Sequence, residues 1–125
     1  LALSFLILTG GIRMKLIVAI VQPHKLSAIK QELINAEVYR MTITNALGLS
    51  EEVGHTEMYR GIEEYISLHK KVRIEIAVND DFVESTIEAI LKGGRTGELG
   101  DGKIFVVSVE QAIRVRTGET GKDAL

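Results

Sequence analysis

An α+β fold, with one antiparallel sheet carrying two helices on the same face, is predicted by three observations. The hydrophobic period changes along the chain in the order strand, helix, strand, strand, helix, strand. Between the second and third strands, roughly Gly48 to Lys70, more than twenty residues lack a clear period. That is too long for a linker in so small a domain, and such loops usually bind something. A glycine-rich stretch, Thr96 to Gly102, then feeds directly into the last apolar strand. The order βαββαβ is that of a ferredoxin-like split-βαβ sandwich.

Each element has a local signature. Lys15 to Gln22 is apolar on both faces, so both sides of this strand need covering. Pro23 ends it. Leu26, Ile29, Leu33 and Ile34 recur at helical spacing over residues 25–36, with Lys30, Gln31 and Glu32 facing outward. Met41 to Leu47 reads as the second strand, and Val72, Ile74, Ile76 and Val78 alternate as the third. Asn79-Asp80-Asp81 offers cap chemistry for a second helix striped by Val83, Ile87, Ile90 and Leu91 and stopped by Gly93-Gly94. Ile104 to Val107 is the fourth strand, and Ile113 to Thr117 is expected as a short fifth.

Both helices fall on one face, so the other face must meet something else. Strands 15–22 and 104–107 are apolar there too, and an apolar sheet face left in water is an association site. A monomer is therefore not expected.

Composition narrows the function classes. A chain of 125 residues is one domain with room for a core, and 46% apolar residues with a single proline mark it as ordered. A net charge of −2 gives no general attraction for nucleic acid or anionic membrane, so any basic site is local. With no cysteine there is neither disulfide framework nor zinc cluster, which fits a reducing cytoplasm. His24 and His69 have no partner at metal-ligand spacing.

The stretch Thr96-Gly97-Glu98-Leu99-Gly100-Asp101-Gly102-Lys103-Ile104-Phe105 carries the chemistry. Its glycines allow backbone conformations closed to other residues and let a ligand approach main-chain N–H groups without meeting a Cβ. N–H groups beside a lysine suit a phosphate chain. The bland alternative is a loose helix-to-strand turn. It is not a Walker A loop, because the glycines precede a strand instead of opening a helix. In Ile113-Arg114-Val115-Arg116-Thr117 a period of two would put both arginines on one side. With the lysine they supply the cations a di- or triphosphate needs.

Thr96 to Val106 resembles the C-terminal signature of the P-II family of nitrogen-regulatory signalling proteins. Gly54-His55-Thr56-Glu57-Met58-Tyr59-Arg60-Gly61 resembles the stretch before that family's modified tyrosine. The two motifs are in register, and the resemblance runs from Met14 to about Thr117 without an evident gap. It implies a homotrimer with ATP or ADP in clefts between subunits and a protruding T-loop, about 48–70, that docks on targets. Carried over residue by residue, Thr42, Gly48, Ile76 and Ala77 would line adenine and ribose. Gly100, Asp101, Gly102 and Lys103 would wrap the phosphates, and Arg114 and Arg116 would complete the charge from a neighbouring subunit. Lys71 matches the family's keto-acid lysine. Residues 1–13, apolar at their start, precede the resemblance and are expected to lie outside the P-II-like domain of 14–125. Gly10-Gly11 fits a translated ribosome-binding site. The alternative for 1–13, a membrane-attaching segment, is too short to span a bilayer.

The T-loop departs from the family. Many members have Phe-Gly-Arg-Gln-Lys after the first loop glycine, whereas this chain has Leu49-Ser50-Glu51-Glu52-Val53. Glu51 thus stands where the arginine would be and Glu52 where the glutamine binds Mg2+ and 2-oxoglutarate. A carboxylate remains a candidate Mg2+ ligand, but it repels a dianionic keto acid by about 1–4 kcal/mol at 4 Å. Sensing of 2-oxoglutarate is therefore not expected unless Mg2+ bridges the two. In Tyr59-Arg60-Gly61-Ile62-Glu63-Glu64-Tyr65, Glu64 takes the place of the modified tyrosine and Ile62 that of a phosphorylated serine. No covalent control is expected, with Tyr65 as the one candidate shifted site.

Two function classes follow. One is a non-enzymatic cytoplasmic sensor that binds adenine nucleotides and holds or releases a target, such as an ammonium transporter or a nitrogen-assimilation enzyme. A variant of it regulates transport of bicarbonate, metal or another ion and ignores 2-oxoglutarate. The other class is a slow ATPase, for which the sequence offers no serine, cysteine or histidine constellation.

Overall fold

The computed structural model describes residues 13–49 and 68–125. The elements are β1 (Met14–Val21), α1 (Leu26–Asn35), β2 (Thr42–Leu49), β3 (Leu68–Asn79), α2 (Val83–Gly94) and β4 (Gly102–Val109). The four strands form one antiparallel sheet in the order β2-β3-β1-β4. Residues 1–12 and the loop 50–67 lie outside the described residues, and with them the expectations for Glu51, Glu52, Glu63, Glu64 and Tyr65.

The period-two pattern sets the two faces. Ile17, Ala19 and Val21 of β1 and Val72, Ile74, Ile76 and Val78 of β3 are buried and form one core with Ile29 and Leu33 of α1 and Ala89 and Ile90 of α2. Each buried Val, Ile or Leu contributes about 1.5–3 kcal/mol relative to an exposed position. The buried polar residue Thr86 turns its hydroxyl back along α2 to donate to the Phe82 carbonyl at 2.6 Å, so no polar group is stranded there. On the other face, Leu16, Val18 and Ile20 of β1 lie opposite Val107, Phe105 and Lys103 of β4. Phe105 and Val107 are about half exposed, so this face is apolar over β1 and β4, as expected. Beside it β3 carries an ion pair, Arg73 Nη2 to Glu75 Oε2 at 3.0 Å.

The chain leaves α1 through Glu37, which adopts a left-handed conformation with φ 63°. The Glu37 N–H donates to Ile34 O at 2.9 Å and the Val38 N–H to Leu33 O at 2.8 Å. This is the double bond of a Schellman motif, and the buried Val38 and Leu33 supply its apolar contact.

Four expectations change. The strands are longer than their apolar runs, because cross-strand pairing carries polar residues such as His69, Lys70 and Lys71 into β3. Asn79 makes no side-chain cap; a 3-10 turn at Asp80–Phe82 leads into α2 instead, and the Asp80 N–H donates to Arg13 O at 3.0 Å. Gly93 and Gly94 do not stop α2 but belong to its last turn and are buried. A Cβ on Gly93 would lie 2.6 Å from Ile29 Cα, so this glycine lets the two helices touch backbone to backbone. Finally, the fifth strand is absent. Only Ile113 pairs, in a single bridge with Thr120, because the chain reverses at once through Gly118 at φ 75°. The Gly118 N–H donates to Arg114 O at 2.7 Å and the Arg114 N–H to Glu119 O at 2.8 Å. The alternation that would align Arg114 with Arg116 therefore has no strand to act through.

Candidate functional site

The glycine-rich loop joins α2 to β4 and is held by its own side chains. Asp101 Oδ2 accepts the N–H groups of Thr96 at 2.8 Å and Gly97 at 2.9 Å, while Oδ1 accepts the Thr96 hydroxyl at 2.5 Å. Thr96 Oγ1 in turn accepts the Glu98 N–H at 3.1 Å. The Thr96 hydroxyl foremost, then the Thr96 and Gly97 N–H groups, hold the Asp101 carboxyl below its ordinary value of 3.8. Asp101 thus organises the loop from within. Lys71 on β3 adds a second brace, with Nζ donating to Gly100 O at 3.0 Å.

Glycine is needed at Gly102 because φ is +106° and an added Cβ would fall 1.8 Å from Ile20 O. Close approach of β4 to β1 by itself excludes a side chain there. Asp101, Gly102 and Lys103 border a cavity of about 410 Å3 between α2 and β4 whose apolar wall includes Val21, Ile87, Ile90 and Leu91.

The remaining site residues fall into separate groups within one chain. Gly48, opposite His69 in the register, lies against Lys71: a Cβ there would meet Lys71 Cγ at 3.2 Å. Gly48, Lys71 and Gly100 are therefore linked at the base of the long loop. Ile76, Ala77 and Arg114 share a second cavity of about 340 Å3 with Tyr39, Arg40 and Phe82. Thr42 is exposed on β2 opposite Glu75, next along β3 to Ile76. Arg114 Nη2 donates to the main-chain oxygen of Leu125 at 3.1 Å, and its Nη1 pairs with Glu119 Oε1 at 3.4 Å. Arg116 is exposed in the turn and has no ion pair among the described residues. Lys103 and Arg114 thus line different cavities of the single chain.

Sequence reasoning missed Tyr39, Arg40 and Leu125, since no short-range pattern links residue 40 to residue 125. Among the described residues no three His, Asp or Glu side chains cluster as metal ligands, and no helix is long and apolar enough to cross a membrane.

A ferredoxin-like sheet with a braced glycine loop at its α2–β4 corner places the chain among small α+β proteins. The family model "Nitrogen regulatory protein P-II" matches residues 14–119, and the chain belongs to that family. Similar proteins include the nitrogen regulatory protein P-II of Mesorhizobium japonicum, 49% identical over 112 residues, which span 90% of this chain and all of that protein. That of Rhodospirillum rubrum is 47% identical with the same coverage. Among solved structures, Arabidopsis thaliana PII bound to citrate superposes with a TM-score of 0.75 at 36% identity, covering 93% of this chain and 95% of that one.

Proposed function

We propose that the chain is a non-enzymatic, cytoplasmic signal protein that binds ATP or ADP at the glycine loop and passes the bound state to a target through the 48–70 loop. The observation that carries this is the double brace on the loop, from Asp101 inside it and Lys71 across from β3, with Lys103 immediately after it. A loop held before the ligand arrives loses little entropy on binding, which is the advantage of preorganisation. Membership of a nitrogen-regulatory family supplies the signalling role.

Assembly follows from the sheet. Three copies would bury the apolar face of Leu16, Val18, Phe105 and Val107, gaining about 25 cal/mol per Å2. They would also bring Arg114 and Arg116 of one copy toward Lys103 of the next, which explains why a single chain keeps them apart. Glu52 is the carboxylate available for Mg2+, a hard cation that takes oxygen ligands. It cannot donate the hydrogen bond a glutamine amide would give a keto acid. Glu51 and Glu52 therefore favour a regulator insensitive to 2-oxoglutarate, whose target is a transporter of ammonium or another ion or a nitrogen-assimilation enzyme.

Calorimetry with ATP, ADP, AMP and cyclic AMP, each with and without Mg2+ and 2-oxoglutarate, tests the reading. Lys103→Ala and Arg114→Ala are each expected to weaken nucleotide binding by about 1.5–3 kcal/mol, the worth of a charge-assisted contact. Unchanged affinity in both variants would place the phosphates elsewhere. Little gain from 2-oxoglutarate is expected for the unmodified chain and a larger one for Glu52→Gln; tenfold tightening in the unmodified chain, about 1.4 kcal/mol of coupling, would refute the insensitivity.

A further inference from the structure

The same main-chain oxygen of Leu125 is held by two arginines from distant parts of the chain. Arg40 Nη1, in the segment between α1 and β2, donates to it at 2.9 Å, and Arg114 Nη2 donates at 3.1 Å. Leu125 is half-buried, and it lines the same cavity as Ile76 and Ala77, the positions assigned to the nucleotide base. The segment is anchored on the way: the Gly121 N–H donates to Ala112 O at 3.0 Å, and a 3-10 turn over Gly121–Ala124 delivers Leu125 to the arginines.

Two guanidinium groups converging on one oxygen make an anion site, because a planar fork of donors suits carboxylate and phosphate oxygens equally. A phosphate oxygen accepts from the same guanidinium forks as this main-chain oxygen, so the two compete for Arg114. We infer that Arg40 holds the chain's own Leu125 against Arg114, and that phosphate oxygens of a nucleotide must displace Leu125 to engage Arg114. The inference rests on the nucleotide reading above and adds to it an internal competitor. Arg40 belongs to the competitor alone: it holds Leu125 and takes no part in the phosphate-wrapping set. In an assembly where Arg114 serves a neighbour's cleft, Leu125 of one copy thereby restrains binding at the next.

The competition has a size. A protein whose binding-competent form is a fraction of the whole shows affinity reduced by that fraction, and a single hydrogen bond shifts such a population by about threefold or more. The test is titration of the full-length chain and of Arg40→Ala with ADP, together with hydrogen exchange of amides 121–125 with and without saturating ADP. Arg40→Ala is expected to bind ADP about threefold more tightly or better, and ADP is expected to reduce the protection of the Leu125 amide, which donates to Lys122 O at 3.2 Å. Equal ADP affinity in the two proteins, or unchanged protection at saturation, overturns the competition while the nucleotide reading stands. Binding by neither protein overturns both.

Discussion

The two consecutive glycines at the end of α2 are expected to respond oppositely to the same substitution. By helix propensity alone, Gly→Ala in a helix stabilises by about 1 kcal/mol. At Gly93 the new methyl would sit 2.6 Å from Ile29 Cα, 2.7 Å from Ile29 N and 2.9 Å from Ala28 C, all backbone atoms of α1. Carbon atoms rest at about 3.5–4.0 Å, so α1 must withdraw by roughly 1 Å. That movement opens the contacts of Ile29 and Leu33, both fully buried. Overpacking of this kind costs about 1–3 kcal/mol, and rigid backbone on the far side puts Gly93 at or beyond the upper end. Net of propensity, Gly93→Ala should lose about 2 kcal/mol or more. At Gly94 the methyl meets only the Ile29 side chain, Cδ1 at 3.1 Å and Cγ1 at 3.5 Å, which needs to give by a few tenths of an ångström where backbone would have to move by far more. Gly94→Ala should therefore lie between neutral and about 1 kcal/mol more stable. Urea unfolding of both variants at one fixed protein concentration reads the difference, since association would otherwise make stability depend on concentration. Equal stability losses in the two variants, or a Gly93→Ala protein as stable as the parent, would refute the close helix contact.

The two other predictions concern the loop and the end of α1. Because Thr96 and Gly97 hold the Asp101 carboxyl below its ordinary value of 3.8, the loop brace is fully present above that value and is lost as pH falls through the lowered one. Protection of the Thr96 and Gly97 amides, measured against their intrinsic exchange rates at each pH, should fall only below about pH 3.8; Asp101→Asn should show little protection at neutral pH, and retained protection there would mean that the carboxylate is not the brace. Glu37 carries a side chain at φ 63°, where an L-residue costs about 1 kcal/mol, so Glu37→Gly should raise stability in thermal unfolding despite the added freedom of glycine when unfolded; a loss of stability would show that Glu37 makes a compensating contact.

Local pattern was enough for the layout. Val72, Ile74, Ile76 and Val78 alternate in the sequence and all four are buried, and Ile29 and Leu33 of the α1 stripe are fully buried, because burial against a single core follows the period of each element. The family, too, was legible, since Thr96 to Val106 and Gly54 to Gly61 are contiguous motifs. What contiguity cannot encode is which distant atoms a residue meets. Gly93-Gly94 looks like a helix stop in the sequence, yet Gly93 is glycine because the backbone of Ile29 lies against it. Nor does the sequence show that Asp101 accepts the Thr96 and Gly97 N–H groups and the Thr96 hydroxyl, since its place in a glycine-rich run says nothing of which donors reach it. Arg114 and Arg116 alternate as on a strand, but the strand needs a partner, and the turn at Gly118 allows only the bridge from Ile113 to Thr120. The Arg40–Leu125–Arg114 contact joins residues 85 positions apart, so it exists only once the fold has brought Leu125 back beside the start of β2.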